Sequence, residues 1–387
     1  MKIAVIGAGV SGLTFAAAMK RFAPGTQVEL YERDLSAESR FQGYSLGMKG
    51  DGGIPVLKAI GLYEQITQQA VTIKNFVFCD QQGRVLLELS ATGDEARLNQ
   101  RVKRNALKAI LLGAIGDTPV HSNMLAKGFH QSDGGVEVYF ENGQTASADY
   151  LIACDGVASV IRQQMIGDQK RYLGLTTILL DSPHLLKHPL LEGGYFLTLG
   201  ENGASFFCYR QRDSIHLSYT VHAASESDIT SQAEDSLLKR VQDETKAWHS
   251  PIPEITPLVD PASLVVRGYY DKEPIQQARQ GRVWLAGDAA HPMSPFQGQG
   301  ANMAMVDALK LAQFFGELEA NPTTAEAKAQ ALEKDIVTRG RKAVLDSRNA
   351  ARQFHSTGRM QQIFRNFGFR MGNFFIQMSA RKESPTS

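Results

Sequence analysis

A glycine-rich turn near the N-terminus limits the fold of this chain more than any other feature. Residues 2–6 read Lys-Ile-Ala-Val-Ile, a short β-branched strand, and they run directly into Gly7-Ala8-Gly9-Val10-Ser11-Gly12. A stretch of helical composition follows, from Leu13 to about Phe22. A strand, a glycine turn and a helix in this order are typical of the start of a Rossmann-like α/β fold.

The three glycines of the turn each have a physical role in binding a dinucleotide. Gly7 permits the tight turn, Gly9 lets the backbone approach a pyrophosphate, and Gly12 lets helix and strand pack closely. A second strand over residues 27–31 ends at Glu32, 20 residues after Gly12, the spacing of an acid that binds a ribose diol. We therefore expect a dinucleotide here. The turn alone does not distinguish NAD from FAD, and a glycine turn without a nucleotide is the alternative.

A second segment of the same kind lies far along the chain. The apolar strand Val283–Ala286 ends at Gly287-Asp288, and a loop rich in proline and glycine leads to a helix that begins near Gly300. An aspartate at a strand end can accept a hydrogen bond from a sugar or ribityl hydroxyl. The start of a helix suits negative charge, such as that of an anionic reduced flavin.

These segments, together with Asp155-Gly156 between them, resemble the single-component (class A) FAD-dependent monooxygenases, the group with the para-hydroxybenzoate hydroxylase fold that also contains the tetracycline-inactivating monooxygenases. The resemblance covers nearly the whole chain. It implies FAD as cofactor, NADPH or NADH as co-substrate, and transfer of one atom of O2 from a flavin C4a-hydroperoxide to a phenolic, enolic or polycyclic substrate. It also implies cofactor-binding roles for Gly7, Gly9, Gly12, Glu32, Arg33, Arg40, Arg104, Asp155, Asp288, Pro295, Gly298, Gln299, Gly300 and Asn302.

Several of these residues also have an ordinary structural interpretation. Arg40 and Arg104 are equally typical of solvated loop or helix arginines, and Asp-Gly is among the commonest turn pairs, so Asp155 alone indicates little. His291 is either a contact of the cofactor or substrate or a structural histidine that binds a neighbouring loop. The chain contains no other recognisable catalytic motif, which fits an enzyme whose cofactor performs the difficult step.

Between the motifs, seven runs rich in β-branched and aromatic residues predict a largely antiparallel sheet, inserted into the nucleotide fold as a second domain. We expect an FAD-binding domain at 1–72, 99–170 and 273–320, a substrate domain at 73–98 and 171–272, and a helical C-terminal region at 321–387. The predicted strands are Ile73–Cys79, Arg84–Leu89, Leu175–Leu180, Gly194–Leu199, Ser205–Arg210, Ser214–Val221 and Leu264–Tyr270.

The strand at 214–221 alternates, so that His216, Ser218 and Thr220 share one face. This polar face either lines a substrate cavity or faces water. The tetracycline-inactivating enzymes are similar here and have a substrate-contacting histidine at the position of His216. We take His216, Arg210, Phe206 and Pro295 as the substrate-binding candidates.

Composition narrows the possible partners. The chain has 41 Lys and Arg against 40 Asp and Glu, so its net charge of +1 gives no field that would attract nucleic acid. Three scattered cysteines indicate a reducing cytoplasm and neither a disulfide framework nor a metal site. No run is long enough to span a bilayer. The apolar, basic tail from Met360 either lies on a membrane surface or packs on its own protein. We expect a monomer or a weak dimer.

The leading hypothesis is thus an FAD monooxygenase acting on a small aromatic or polyketide substrate. A tetracycline is the narrower expectation, which implies antibiotic resistance and rests on the resemblance at Glu32-Arg33-Asp34, Arg40, Arg104 and His216. An FAD-dependent reductase or halogenase on the same scaffold is one alternative. A flavoprotein that binds a ligand without catalysis is another.

Overall fold

The computed structural model describes residues 1–35, 45–90, 99–320, 323 and 325–383, with side chains up to residue 378 at the C-terminus. The chain folds into two compact units. Residues 1–70, 100–171 and 270–348 form unit 1, and residues 71–99, 172–269 and 349–387 form unit 2. Each unit is therefore assembled from three separate stretches of sequence.

Strands and helices are numbered along the described chain. The strands are β1 Lys2–Ile6, β2 Gln27–Tyr31, β3 Ser45–Lys49, β4 Val71–Thr72, β5 Asn75–Asp80, β6 Val85–Ser90, β7 Asn99–Lys103, β8 Val120–His121, β9 Ala126–Ser132, β10 Gly135–Phe140, β11 Thr145–Ala148, β12 Tyr150–Ala153, β13 Arg171–Ser182, β14 Gly194–Leu199, β15 Ser205–Arg210, β16 Ile215–His222, β17 Val265–Asp271, β18 Arg279–Gln280 and β19 Val283–Leu285. The helices are α1 Val10–Phe22, α2 Gly53–Ala59, α3 Tyr63–Gln69, α4 Arg104–Ile115, α5 Val160–Ile166, α6 Ser227–Thr230, α7 Glu234–Thr245, α8 Ile252–Ile255, α9 Gly300–Ala320, α10 Ala325–Phe354 and α11 Arg359–Glu383.

Unit 1 is built on a six-stranded sheet in the order β18-β19-β12-β1-β2-β8. Strand β1 lies between β2 and β12 and runs parallel to both, and β19 runs parallel to β12. Apolar residues occupy β1 from Ile3 to Ile6, because a parallel strand in the middle of a sheet is covered on both faces. The carboxyl ends of these parallel strands meet at one edge, so the turns that follow β1, β2, β12 and β19 converge there.

Helix α1 packs against that sheet and against α9. Residues 11–19 of α1 are all buried, which explains its run of alanine and other small or apolar residues. The two helices approach so closely that a Cβ on Gly316 of α9 would lie 2.3 Å from the carbonyl oxygen of Phe22. Phe15 and Phe315 meet edge to face at 6.1 Å in the same core.

Unit 2 is built on a seven-stranded sheet in the order β17-β13-β16-β15-β14-β5-β6. All seven predicted strands are present in it, which confirms the predicted sheet. Strands β13, β16, β15 and β14 pair antiparallel in succession, β5 pairs antiparallel with β6, and β14 pairs parallel with β5. One face of this sheet carries the apolar core of the unit, which includes Ile215, Leu217 and Tyr219.

The helical C-terminal region does not form a unit of its own. Residues up to 348, most of α10, group with unit 1, whereas the end of α10 and all of α11 group with unit 2. Ile336 and Val344 of α10 are fully buried, as a helix packed on its neighbours requires. Helix α11 is different, because most of its large apolar side chains are exposed.

Candidate functional site

The glycine turn after β1 contains two glycines that the protein itself requires and one that it does not. Gly7 has φ +101°, and a Cβ there would lie 2.5 Å from the carbonyl oxygen of Cys154. A Cβ on Gly12 would lie 2.0 Å from the carbonyl oxygen of Gly7. A Cβ on Gly9 meets no atom within 4 Å. The space over Gly9 is therefore open at the start of α1, as the close approach of a pyrophosphate requires.

Glu32 lies directly after β2 and connects that strand end to the glycine turn. Its Oε2 accepts a hydrogen bond of 2.7 Å from the backbone N–H of Ala8, and its Oε1 accepts one of 3.0 Å from the N–H of Asp34. The side chain is half-buried. Each oxygen keeps acceptor capacity for a ribose hydroxyl. Arg33 is exposed, with its Nε 4.0 Å from Asp34 Oδ1.

Asp288 follows β19 at the point where α1 and α9 approach each other. A Cβ on Gly287, which has φ +58°, would lie 3.0 Å from Ser11 Oγ and 3.1 Å from Ala304 Cβ, so only glycine fits this crossing. The next residue, Asp288, has its Oδ1 3.7 Å from where a Cβ on Gly300 would be. The carboxylate therefore lies beside the first turn of α9.

The carboxyl of Asp288 reaches solvent, yet the surrounding protein desolvates it and raises its pKa. The charges of His291 and Arg104 act in the opposite direction without cancelling that effect. Arg104 is the first residue of α4 and is half-buried. Its positive charge acts on the Asp288 carboxyl, which we expect to bind the ribityl chain. A partly desolvated acceptor near a cation suits hydrogen bonding to a sugar-like hydroxyl.

Asn302 holds the loops around the start of α9. Its Oδ1 accepts hydrogen bonds from the N–H groups of Lys49 and Gly53 at 2.9 and 2.8 Å, and its Nδ2 donates to the carbonyl oxygens of Gly47 and Gly298 at 2.8 and 3.1 Å. Both acceptor sites of Oδ1 and both N–H donors of Nδ2 are therefore engaged by backbone groups. Any contribution of Asn302 to a cofactor therefore passes through the loops that it positions.

The loop that precedes α9 exposes the predicted cofactor contacts. Pro295 and Gly298 are exposed, and Gln299 and Gly300 are half-buried. Lys49, which the sequence analysis missed, donates from Nζ to the Gln297 carbonyl oxygen at 2.8 Å. Burial lowers the pKa of Lys49 against the opposing charge of Asp51. A lone lysine at a strand end carries no sequence signal.

Asp155 follows β12 and caps the short helix α5. Its Oδ2 accepts a hydrogen bond of 3.0 Å from the N–H of Val160, and Ser159 Oγ accepts one of 2.9 Å from the N–H of Arg162. Burial raises the pKa of Asp155, and the hydrogen bond with Ser159 opposes that shift. The contacts in the structure are those of the turn interpretation, and a contact between Asp155 and FAD remains a prediction.

Arg162 fixes the segment that follows Asp288, a role that the sequence did not reveal. Its guanidinium is fully buried and binds both oxygens of Asp168. Nη1 donates to the Ala290 carbonyl oxygen at 2.7 Å, and Nη2 donates to the Glu273 carbonyl oxygen at 2.7 Å. Arg162 thus connects α5 to the Asp288 turn.

His291 belongs to a buried ion-pair cluster, which matches the structural interpretation of this residue. Its Nε2 lies 2.6 Å from Oδ2 of Asp307, which also accepts from the N–H of Gly287 at 3.0 Å. Arg339 of α10 donates to Asp307 Oδ1 at 3.0 Å. Burial opposes charge on His291 and on Asp307, but their mutual attraction prevails, so the pKa of His291 is raised and the pKa of Asp307 is lowered.

The second group of predicted residues lies on the unit 2 sheet, and its register divides them. His216 is opposite Tyr209 on β15 and Asp181 on β13, and its ring lies 4.9 Å from that of Tyr209. Phe206 and Arg210 pair with Tyr219 and Ile215 and so point to the opposite, apolar face. Phe206 is fully buried in that core. Phe206 and Arg210 therefore do not line one surface with His216.

The face that carries His216 is polar and buried. His216, Ser218 and Thr220 are each less than a tenth exposed, so the alternative in which this face meets water is wrong. Thr177 Oγ1 lies 2.8 Å from Ser218 Oγ, and the Tyr269 hydroxyl hydrogen-bonds to this same cluster. Burial raises the pKa of Tyr269, so its phenol stays protonated. Neither Tyr269 nor Thr177 was predicted.

Flat aromatic rings extend this face away from His216. The Tyr209 ring lies 5.5 Å from Phe207, Phe207 lies 5.3 Å from Tyr195, and Tyr195 lies 4.2 Å from Phe76. Phe207, Tyr195 and Phe76 are all partly exposed. We call this set, from His216 to Phe76 together with Tyr269, the aromatic face.

Arg40 falls outside the described residues, so its predicted contact stays a prediction. No helix among the residues that the structure describes combines the length and the apolar character needed to cross a membrane. Within those same residues, no group of three or more His, Cys, Asp or Glu side chains is placed to hold a metal ion.

Comparisons with known proteins identify the family of this chain. The family model described as "FAD binding domain" matches residues 1–334. The monooxygenase cfoF of Aspergillus candidus is 29% identical over 341 residues, covering 80% of this chain and 82% of the relative. The 3-hydroxybenzoate 6-hydroxylase of Polaromonas naphthalenivorans is 27% identical over 385 residues, covering 95% and 91%.

Solved structures share the fold over almost the entire chain. Klebsiella pneumoniae HpxO, solved with FAD and uric acid, superposes with a TM-score of 0.84 at 23% identity, covering 96% of this chain and 93% of HpxO. The tetracycline destructase Tet(51) gives a TM-score of 0.66 at 23% identity, covering 97% of each chain. Because the family match covers residues 1–334, most of its length, this chain belongs to the FAD-binding-domain family of class A FAD-dependent monooxygenases.

Proposed function

We propose that this protein uses NAD(P)H and O2 to hydroxylate a phenolic or other electron-rich aromatic substrate. The observation that carries the proposal is the convergence of the turns after β1, β2 and β19 at one sheet edge, with open space over Gly9. FAD bound there supplies the activation of O2. The side chains of the protein bind and orient the cofactor and the substrate, and they shield both from water.

Each turn has a separate task toward the cofactor. The free N–H groups at the start of α1 face the space over Gly9 and suit the pyrophosphate. Glu32 binds the adenosine ribose, and Asp288 binds the ribityl chain. The start of α9 stabilises negative charge on the reduced ring. Lys49 adds a cation close to the same loop, since its Nζ donates to the Gln297 carbonyl oxygen at 2.8 Å.

The substrate, in this proposal, binds along the aromatic face of unit 2. His216 and the protonated Tyr269 offer hydrogen bonds to a phenolic or enolic oxygen. The partly exposed rings of Phe207 and Tyr195 offer flat apolar surface for a planar molecule. Pro295 remains a candidate substrate contact in unit 1.

The substrate class follows the nearer relatives. A hydroxybenzoate is the substrate in the name of one relative, and a planar heteroaromatic, uric acid, is bound in HpxO, whose fold is closer than that of Tet(51). A tetracycline or another polyketide is the second candidate, favoured by His216 on the polar face.

The test is anaerobic reduction of the bound flavin by NADPH and NADH, followed by stopped-flow absorbance across hydroxybenzoates, purines, polyketides and tetracyclines. We expect one class to accelerate bleaching at least about 10-fold, and His216→Gln and Tyr269→Phe to raise the concentration of that ligand needed for half-acceleration. Tyr139→Phe, an exposed tyrosine of β10, is the matched control. Rapid bleaching that no ligand changes indicates a reductase, and no bleaching under any condition indicates a non-catalytic flavoprotein.

A further inference from the structure

Helix α11 packs on unit 2 through one face only. Phe369 contacts Phe78 with ring centres 5.3 Å apart, Asn373 Oδ1 accepts a hydrogen bond of 3.0 Å from the N–H of Glu88, and Gln362 donates to the Glu201 carbonyl oxygen at 2.6 Å. These residues recur at the helical period, so they form a single stripe. Of the two expectations for the apolar tail, packing on the protein or on a membrane surface, packing on the protein accounts for only this stripe.

The opposite face of α11 is an exposed apolar seam. Phe364 is 67% exposed, Phe367 62% and Phe374 56%. The seam residues follow one another at steps of four and three, the spacing that pairs two helices through a continuous strip. They are Met360, Phe364, Phe367, Met371, Phe374 and Met378, flanked by the exposed Ile363 and Phe375.

The exposed apolar area of this seam is larger than the apolar patch that a monomeric protein ordinarily exposes to water. Large apolar side chains present roughly 150–250 Å² each, so eight of them, about half exposed, make a patch on the order of 900 Å². Patches beyond a few hundred Å² mark interaction sites. A standard protein–protein interface takes about 800 Å² from each partner, so two copies of this seam suffice for a stable dimer.

The charges on α11 indicate whether a second copy of the chain or a lipid surface covers the seam. An interfacial helix binds anionic headgroups through free cations beside its apolar face. Of the three arginines of α11 whose side chains the structure describes, two are engaged by the protein. Arg365 turns inward and donates to the Phe354 carbonyl oxygen at 3.2 Å, and Arg370 lies 3.7 Å from Asp80 Oδ2, which leaves Arg359 exposed at the start of the helix. The seam itself carries no charge, as the centre of a protein interface requires.

We propose that the protein forms a homodimer in which the α11 seams of two copies pack together about a two-fold axis. The contact is isologous: the same patch on each copy covers the other. The antiparallel arrangement places Met360 against the partner's Met378 and opposes the two helix dipoles favourably. This contact goes beyond the hydroxylase function and does not depend on it.

The test is sedimentation velocity of the full-length, FAD-loaded protein at about 1–50 μM, a range that brackets ordinary dimer affinities. We expect a dimer that the double substitution Phe367→Glu with Met371→Glu converts to a monomer, weakening association at least about 100-fold because charge is placed in an apolar interface. Leu185→Glu, at an exposed leucine of unit 2 outside the seam, is the matched control and stays dimeric.

A mixing experiment tests whether the two seams meet. The double-Glu variant combined with the matching Phe367→Lys, Met371→Lys variant is expected to restore the dimer mass. Circular dichroism establishes that each variant is folded, and both substituted side chains are exposed in the free chain. A wild-type monomer at about 50 μM overturns the proposal. A monomer that sediments with phosphatidylglycerol vesicles also overturns it and assigns the seam to a membrane surface.

Discussion

Gly9 and Gly12 lie in the same turn, yet the structure constrains them differently. An added Cβ meets the Gly7 carbonyl oxygen at position 12 and nothing within 4 Å at position 9. We expect Gly9→Ala to leave the free energy of unfolding of the apoprotein within about 0.5 kcal/mol, and to weaken FAD binding about 10-fold or more because the methyl group occupies the space of the pyrophosphate.

The corresponding substitution at position 12 is expected to change the stability of the fold instead. Gly12→Ala is expected to lower the free energy of unfolding of the apoprotein by at least about 2 kcal/mol, since backbone must move to admit the methyl group. Urea unfolding of the apoproteins and fluorescence titration with FAD measure both quantities. Equal FAD affinity for Gly9→Ala and the wild type would contradict the assignment of the open space to the cofactor.

The buried pair of His291 and Asp307 makes stability depend on pH. The pKa of His291 is raised above 6.5, so its contribution is complete below pH 6.5 and is lost as the pH rises through the folded value. The pKa of Asp307 is lowered below 3.8, so its contribution is lost only in strong acid. We expect the free energy of unfolding to fall by about 1 kcal/mol or more from about pH 6 to about pH 9.

His291→Gln tests the source of this pH dependence, because glutamine cannot gain a proton. The variant is expected to flatten the profile above pH 6.5, while His130→Gln, at an exposed histidine of β9, keeps it. Urea unfolding at a series of pH values gives the profile. An unchanged slope in His291→Gln would assign the pH dependence to another group.

At the scale of elements, Asn302 connects the start of α9 to β3 and α2 through four hydrogen bonds. Asn302→Ala removes the partner of four backbone groups, of which that of Gly53 is buried, so we expect a loss of about 2–4 kcal/mol in stability and weaker FAD binding. Gln330→Ala, which removes an exposed side chain from α10, is the control. Thermal unfolding and FAD titration report both effects, and a stable variant with normal FAD affinity would show that these bonds do not hold the loop.

Sequence periodicity predicted where the strands and helices lie better than it predicted which residues pack against them. The strand after Met1, the glycine turn and the strands at 194–199 and 205–210 were predicted because turn residues and alternation are local signals. Alternation also placed His216, Ser218 and Thr220 on one face, but it does not reveal what covers a face. Phe206 was therefore predicted to lie beside His216, whereas the sheet register shows that the two side chains point in opposite directions.

Contacts between segments that are far apart in the chain could not be predicted from the sequence. Arg162 binds the carbonyl oxygens of Ala290 and Glu273, and Asn302 holds the Lys49 strand, over separations of more than 100 residues. Such pairings follow from the packed fold and leave no local pattern. The motif order could be predicted, because each turn carries its own residues to the carboxyl edge of the unit 1 sheet.

For the whole molecule, we assign the FAD site to unit 1 and the substrate site to the aromatic face of unit 2. A change on that face should alter substrate response while leaving cofactor content intact. We expect His216→Gln and Tyr269→Phe to purify with the FAD content of the wild type, measured by absorbance after release of the flavin. Loss of FAD in either variant would show that this face supports the cofactor rather than the substrate.

In the proposed reaction, this flavoprotein inserts one oxygen atom into an aromatic substrate. The most direct measurement is turnover with NAD(P)H under ¹⁸O2, using the ligand that most accelerates flavin reduction, followed by mass spectrometry of the product. The proposed function predicts a hydroxylated product that carries one ¹⁸O atom. If NAD(P)H is consumed and every labelled atom appears in hydrogen peroxide or water for all ligands tested, the protein is an oxidase or reductase, and the hydroxylase proposal is wrong.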